Sequence, residues 1–245
     1  MIHYFQGVQT IMRRERIANT EFLFKQLSWD EVVNDAARLR FQVYCIERGF
    51  VSESAYPDEK ELDEYDEDSV HFGIYIDASL AGYARLVLNK GHGLPIFKYA
   101  PFVKDKVKKF PPDSIGEISR LVISKTFRRR QNDGAYYDPL PYLDKTRAPF
   151  RRIRPMVFGI YRDIYTYCKR NNINRWLVLM EPSLWRLLSM TNINFERIGG
   201  EVECMGIVNP YMLNLSDAEK EMALYHPHYY DYFTKDLDDN LKMKF

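Results

Sequence analysis

The sequence predicts a mixed α/β fold, a central sheet flanked by helices, and three observations carry that prediction. Apolar residues make up 46% of the 245-residue chain against 28% charged, enough to bury a core. Apolar runs of strand length, such as Trp176–Met180 (WLVLM), alternate with amphipathic helical stripes such as Ile153, Met156, Val157, Ile160, Tyr161, Ile164 and Cys168. No linker divides the chain and no repeat of about 20–50 residues recurs, so one domain over residues 1–245 is expected.

The elements follow in order. Glu21–Leu27 (EFLFKQL) reads as a strand, and Ser28 with Glu31 forms a capping box that should start a helix. Val32, Val33, Ala36, Leu39, Val43 and Tyr44 then recur at spacings of three and four, carrying that helix to about Glu47. Val70–Asp77 and Gly82–Asn89 read as an antiparallel hairpin joined by Ala78–Ala81, and Glu117–Ser124 (EISRLVIS) as a further strand. The stripe from Ile153 predicts a helix to about Arg170, with Pro155 in its first turn. Trp176–Met180 has the continuous apolar character of a strand buried on both faces, and Pro182 opens a short helix through Leu188. Glu201–Val208 predicts another strand, and Ser216 with Glu219 a second capping box before a late helix.

The formal charge of +1 implies no bulk polyelectrolyte partner, but it conceals two opposite blocks. Residues 53–68 carry nine acids against Lys60, a net −8, and residues 128–154 carry a net +5. The second block is rich in Pro and Tyr without periodicity, which predicts a basic surface loop inserted at about 128–152. No apolar stretch reaches the ~18–20 residues needed to span a bilayer, and the N-terminal residues lack a signal-peptide pattern, so a cytoplasmic protein is expected. Cys45, Cys168 and Cys204 fall outside any C-x-x-C, and His226 and His228 match no helical ligand pair, so neither a disulfide framework nor a metal site is suggested. Phosphate-binding glycine motifs and hydrolase elbows are also missing.

The residues then point to a family. The stretches RFQVYCIERGF (40–50), ELDEYD (61–66), GYARL (82–86) and EISRL (117–121) together resemble acyl-homoserine-lactone synthases. The wording of RFQVYCIERGF, DEYDEDSVHF, EISRLVISKTFRRR and YCKRNNINRWLVLMEPSLWRLL looks closer still to acyltransferases associated with the PEP-CTERM/exosortase system. Long-chain N-acyl amino acid synthases are a more distant likeness. The resemblance implies the GNAT acyltransferase fold, a mostly antiparallel sheet splayed where the pantetheine arm of an acyl thioester enters. It also implies transfer of a fatty acyl group from acyl carrier protein, or coenzyme A, to the amine of an amino-acid-like acceptor. No tightly bound cofactor is implied.

Carried over by position, the resemblance makes Glu117, Ser119 and Arg120 catalytic candidates and Arg40, Tyr44, Asp63, Asp66 and Arg85 acceptor-binding candidates. The family's tryptophan is not matched, Phe50 being the nearest aromatic, and the loop after Arg130 is much longer than in that family; both departures argue against a sulfonium-bearing acceptor. On physical grounds Glu117 and Arg120 fall on opposite faces of a regular strand, so a bulge is expected between them. Such a bulge would free backbone N–H groups of Leu121, Val122 and Ile123 to stabilise a thioester oxyanion. Arg128, Arg129, Arg130, Arg151 and Arg152 are candidates for docking an acidic carrier protein, because the basic block joins the two strands that should border the cleft.

Each reading has a plainer rival. Arg40 and Arg85 can instead neutralise the acidic block in a structural ion-pair network, and Asp63 with Asp66 can be solvated loop charge or, without the glycine of an EF-hand, a poor calcium site. Cys45 lacks a neighbouring base and reads as a buried thiol rather than a nucleophile. At the level of the whole protein the rivals are a non-catalytic lipid or carrier-protein binder on the same fold and an acyl-homoserine-lactone synthase. Nucleic acid is disfavoured, since the −8 block would repel a polyanion.

Overall fold

Nine strands form one sheet in the computed structural model, which describes residues 10–17, 20–128, 150–189 and 193–243, without the side chains of residues 17, 128 and 150–154. The strands are β1 (Met12–Ile17), β2 (Thr20–Gln26), β3 (Ser69–Ile76), β4 (Ser79–Leu88), β5 (Ile115–Ile123), β6 (Arg175–Met180), β7 (Glu196–Arg197), β8 (Val202–Glu203) and β9 (Ile207–Asn214). Their order is β1-β2-β3-β4-β5-β6-β9-β7, with β8 paired to β9. The pairings are antiparallel except β5 with β6.

The capping box forms as expected: the Ser28 hydroxyl accepts from the Glu31 N–H, and the Ser28 N–H donates to Glu31 Oε2 at 2.9 Å. The helix it starts runs over residues 29–47 but is not uniform. Val32–Ala36 and Gln42–Glu47 are π-helical, and the α-helical Ala37–Phe41 between them carries Arg40. Wide π turns of this kind recur at functional sites, where they re-aim side chains. One face of this helix packs on Tyr83 and Val122 of the sheet through Val32, Ala36, Leu39 and Val43.

The opposite sheet face is covered by the helix Phe150–Arg170, whose Val157, Ile160, Tyr161 and Ile164 lie in the main core. Gly159 lets it approach closely, since a methyl group there would overlap the Phe24 ring. Pro155 falls in the second turn rather than the first, because the helix begins at Phe150. A buried polar group closes the far end of this face: Arg13 donates to Asp163 at 2.6 Å and to the Gly159 carbonyl at 2.7 Å, and Arg162 pairs with Glu15 at 2.8 Å.

Several boundaries differ from expectation. The β3–β4 connection is the two residues Asp77 and Ala78, both with left-handed φ (48° and 63°), the geometry that matches strand twist in a tight hairpin. The segment 201–208 is not one strand: Met205 and Gly206 turn back with φ of 50° and 100°, splitting it into β8 and the start of β9. The late helix Leu215–Tyr225 is capped by Asn214, whose Oδ1 accepts from the Ser216 N–H at 3.2 Å, so Ser216 lies inside it. β1 and the short helices Ile96–Tyr99 and Val103–Val107 had no counterpart in the sequence reading. No helix of the described residues is long and apolar enough to cross a membrane.

Candidate active site

The expected bulge in β5 is present. Arg85 of β4 lies opposite Ser119 and Tyr83 opposite Val122, so β5 spends one more residue than β4 over this interval. Arg120 takes the strain with φ of 55°, left-handed for a non-glycine residue. The extra residue brings the Arg120 side chain to the face that Glu117 and Ser119 already occupy, while Ile118 points into the core on the other face.

On that face three arginines meet three carboxylates of the acidic loop. Arg40 donates from Nε to Glu61 Oε2 and from Nη1 to Asp66 Oδ1 at 2.7 Å. Arg85 grips Asp63 with both terminal nitrogens, at 2.5 and 2.8 Å, reaches Asp66 at 2.6 Å, and donates from Nε to Ser119 Oγ at 2.9 Å. Arg120 donates to Glu61 at 3.0 Å and to Asp63 at 2.9 Å. Much of the −8 block is thereby explained, since its inward acids compensate three arginines. Burial alone would raise the Asp66 carboxyl, but the Arg40 and Arg85 charges outweigh it and hold it well below the usual range. Glu61 and Asp63 are lowered in the same way, against burial, by Arg40 with Arg120 and by Arg85 with Arg120 respectively.

His71 lies beneath this cluster. Its Nδ1 sits 2.7 Å from the Tyr83 hydroxyl and its Nε2 2.9 Å from the Asp66 carbonyl, and burial pushes its pKa down to about 4, so it is neutral at pH 7.

Glu117 is in a different situation. It is 2% exposed and accepts the Ile96 N–H at 2.7 Å, and burial pushes its pKa up to about 8. A carboxyl held near the working pH is the property of a general base. The hydrogen bond comes from the first turn of the helix Ile96–Tyr99, which sequence reading did not find.

The β5–β6 ladder spans only Ile115–Glu117 against Arg175–Leu177, after which the strands part. Residues 118–123 of β5 and 178–181 beyond that ladder line a cavity of about 270 Å³ that passes through the sheet. On the side of the 29–47 helix it is walled by Tyr44, Arg48, Phe50, Tyr99 and Cys204 with Glu117, Ser119 and Arg120. On the side of the Phe150–Arg170 helix its wall is mostly apolar, with Val157, Tyr161, Met180 and Leu187, and Glu181 and Ser183 also line the cavity. Ser124 donates its N–H to the Ala81 carbonyl of the β4 side. Strand alternation therefore directs the Val122 N–H to β4 and the Ile123 N–H into the opening, so the expected set of three free amides does not hold at Val122.

Of the acceptor-binding candidates, Tyr44 lines the cavity, and its hydroxyl is pushed up to about 12 by burial. Arg40, Asp66 and Arg85 do not line it. They are fully buried behind its wall, with Asp63 at the edge of the same cluster, so the ion-pair rival describes their contacts. Cys45 is buried on the helix, as expected of a structural thiol. Arg129 and Arg130 lie outside the described residues, as do the side chains of Arg128, Arg151 and Arg152 and most of the 128–152 insertion. Sequence reasoning did not select Arg48, Tyr99, Tyr161 or Cys204 as site residues, although Arg48 lies within the motif RFQVYCIERGF. Among the described residues no group of His, Cys, Asp and Glu could hold a metal ion.

Residues 39–136 match the acetyltransferase (GNAT) domain family. The fold is similar to that of BjaI, a CoA-dependent acyl-homoserine lactone synthase solved with SAM and isopentyl-CoA, with TM-score 0.56, 16% identity, and coverage of 84% of this chain and 82% of that one. It is also similar to the acyl-homoserine lactone synthase LasI, with TM-score 0.55, 17% identity, and coverage of 85% and 91%. FeeM, an N-acyl amino acid synthase from uncultured soil microbes, gives TM-score 0.56, 13% identity, and coverage of 84% and 97%. No curated protein matches by sequence. Residues 39–136 thus match a GNAT domain within a fold similar to that of these acyl-transferring synthases.

Proposed function

We propose that the protein transfers a fatty acyl group from a carrier-protein or coenzyme A thioester to the amine of an amino-acid-like acceptor, giving an N-acyl product. The observation that carries this reading is a buried carboxyl, Glu117, with a pKa of about 8, on the wall of a cavity that crosses the sheet where β5 and β6 part. A peptide-like α-ammonium has a pKa of about 8, so its proton transfer to the Glu117 carboxylate is close to isoenergetic.

The chain's own groups then divide the work. The acceptor occupies the polar limb beside Glu117, Tyr44 and Ser119, and the acyl chain the apolar limb, which brings the thioester into the gap between the strands. One proton of the ammonium passes to Glu117, the amine attacks the thioester carbon, and the oxygen becomes an oxyanion toward which the Ile123 N–H is directed. The C–S bond breaks as the tetrahedral centre collapses, the second N–H proton goes to the departing thiolate, and Glu117 returns its proton to solvent. Ser119 Oγ already accepts from Arg85, which leaves its own O–H as a donor toward the polar limb. Arg40, Arg85, Asp63 and Asp66 hold the bulge in place as positioning residues. The arginines of the 128–152 insertion supply a docking surface for an acidic carrier protein, since the insertion joins two elements that border the cavity. The resemblance to exosortase-associated acyltransferases supports a role beside that system.

Mass spectrometry of lipids from a host expressing the protein tests this reading. New N-acyl species relative to a vector control, lost with Glu117→Gln, are expected. An unchanged lipid profile together with no acyl transfer from thioester donors by the purified protein would overturn it.

A further inference from the structure

Between β4 and β5 the chain builds a cationic surface that acyl transfer does not use. Residues 98–109 hold five lysines, Lys98, Lys104, Lys106, Lys108 and Lys109, against the single acid Asp105, a local charge of +4 in a chain whose formal total is +1. All five are exposed. The short helix Val103–Val107 explains why most of them turn outward: Val103 and Val107 pack with Ile96 and Ala100 against Ile115 and Leu177, which leaves the charged positions between and after them on the solvent side. Among the described residues Lys108 alone of the five has a carboxylate partner, Asp105 at 3.1 Å. Phe102 belongs to the same segment and is 42% exposed, although its ring packs on Gly199, where a methyl group would overlap it. This face adjoins the cavity, since Pro95 and Tyr99 line it.

We propose that the lysine face of residues 98–109, together with Phe102, docks the protein on an anionic lipid surface. The proposal goes beyond the acyl-transfer reading and stands without it. Four of the five ammonium groups lack a counter-charge, and each one held within a Debye length of an anionic leaflet adds attraction. An exposed aromatic ring among basic side chains is the composition that seats in a headgroup layer. The choice of bases favours lipid over an acidic protein: every one in the segment is Lys, whereas protein interfaces are enriched in Arg and depleted in Lys. A lysine ammonium is a hydrated point charge on a flexible stem, which suits mobile headgroups better than a fixed carboxylate array. The location is also useful to the proposed reaction, because an N-acyl product released beside a bilayer need not carry its chain through water.

Cosedimentation of the full chain with vesicles tests this, comparing pure phosphatidylcholine with phosphatidylcholine containing about 30% phosphatidylglycerol, at about 0.1 M salt. The expected result is binding to the anionic vesicles that weakens as salt is raised, and none to pure phosphatidylcholine. Changing Lys104→Gln, Lys106→Gln and Lys109→Gln together should lower the partition coefficient about 100-fold, while the same three positions changed to Arg retain it. Neither triple variant should shift the melting temperature, since all three side chains are exposed. Phe102→Ala should weaken binding without altering its salt dependence. Equal binding to both kinds of vesicle, or none to the anionic ones, would overturn the proposal. So would binding that survives the triple Gln change, which would place the contact on another basic segment. A lysine-dependent interaction with acyl carrier protein in place of vesicles would overturn it too, and would assign the face to a protein partner.

Discussion

Arg120 meets Glu61 at 3.0 Å across 59 residues of sequence because its backbone is left-handed, with φ of 55°. In a regular strand its side chain would fall on the face opposite Glu117 and Ser119. The bulge thus couples two features of the site: it ties β5 to the acidic loop, and it stands where β5 leaves β6.

That geometry reverses an ordinary preference. Glycine weakens a strand interior, yet at position 120 it relieves the cost of a left-handed side chain. Among variants that remove the guanidinium, Arg120→Gly should be more stable than Arg120→Ala by about 1 kcal/mol. Urea denaturation of the pair measures this, and Ala equal to or better than Gly would contradict the left-handed backbone.

Asp66 receives hydrogen bonds from both Arg40 and Arg85, and all three side chains are buried. Removing one partner of a buried pair typically costs about 3–5 kcal/mol. Asp66→Asn should therefore lower stability by that order and impair donor and acceptor use alike. Wild-type stability with a selective loss of acceptor binding would instead return Asp66 to the acceptor site.

Acid stability follows from the same residues. His71 is held near pKa 4 by burial, below its ordinary value of about 6.5, so its folded state favours the neutral ring. Its contribution to stability is full above about pH 6.5 and is lost as pH falls toward 4. Glu61, Asp63 and Asp66, held low by the arginines, add a further loss at lower pH as they are forced to protonate. Glu117 has the opposite sign, since its raised pKa favours the folded state below about pH 4.5 and loses that advantage as pH rises through 8. Denaturation midpoints across this range should fall steeply below pH 6.5, and His71→Gln should flatten the slope between pH 4 and 6.5 by about one proton. An unchanged slope would contradict a neutral buried ring.

How much of this was legible in the sequence depended on whether the signal was local. The capping box at Ser28 and the stripe through Ile160 are local, and both elements formed. β1 was hidden because its inward residues are Arg13 and Glu15, which satisfy themselves against Asp163 and Arg162 rather than by apolar burial. The motif residues Glu117, Arg120, Asp63 and Asp66 were visible, but the sequence did not separate cavity wall from the ion cluster behind it. That distinction depends on the strand parting and on the Ile96 N–H held against Glu117. Tyr161 carries no mark in a helix stripe that reads as core.

The basic insertion makes a kinetic prediction. If its arginines guide an acidic carrier protein, reversing Arg128, Arg129 and Arg130 to Glu should raise the KM for acyl carrier protein about 10-fold or more and weaken its salt dependence. A short acyl-pantetheine should be used as before. Normal use of the carrier protein at low salt would place docking elsewhere.

Glu117 takes the acceptor proton in the proposed reaction. Steady-state turnover of purified wild type and Glu117→Gln, with the same acyl thioester and amine across pH 6–9, tests it most directly. A wild-type rate that rises through pH 8 and a loss of about 10²–10⁴-fold in the variant, with no fall in melting temperature, are expected. Wild-type turnover in Glu117→Gln would contradict it.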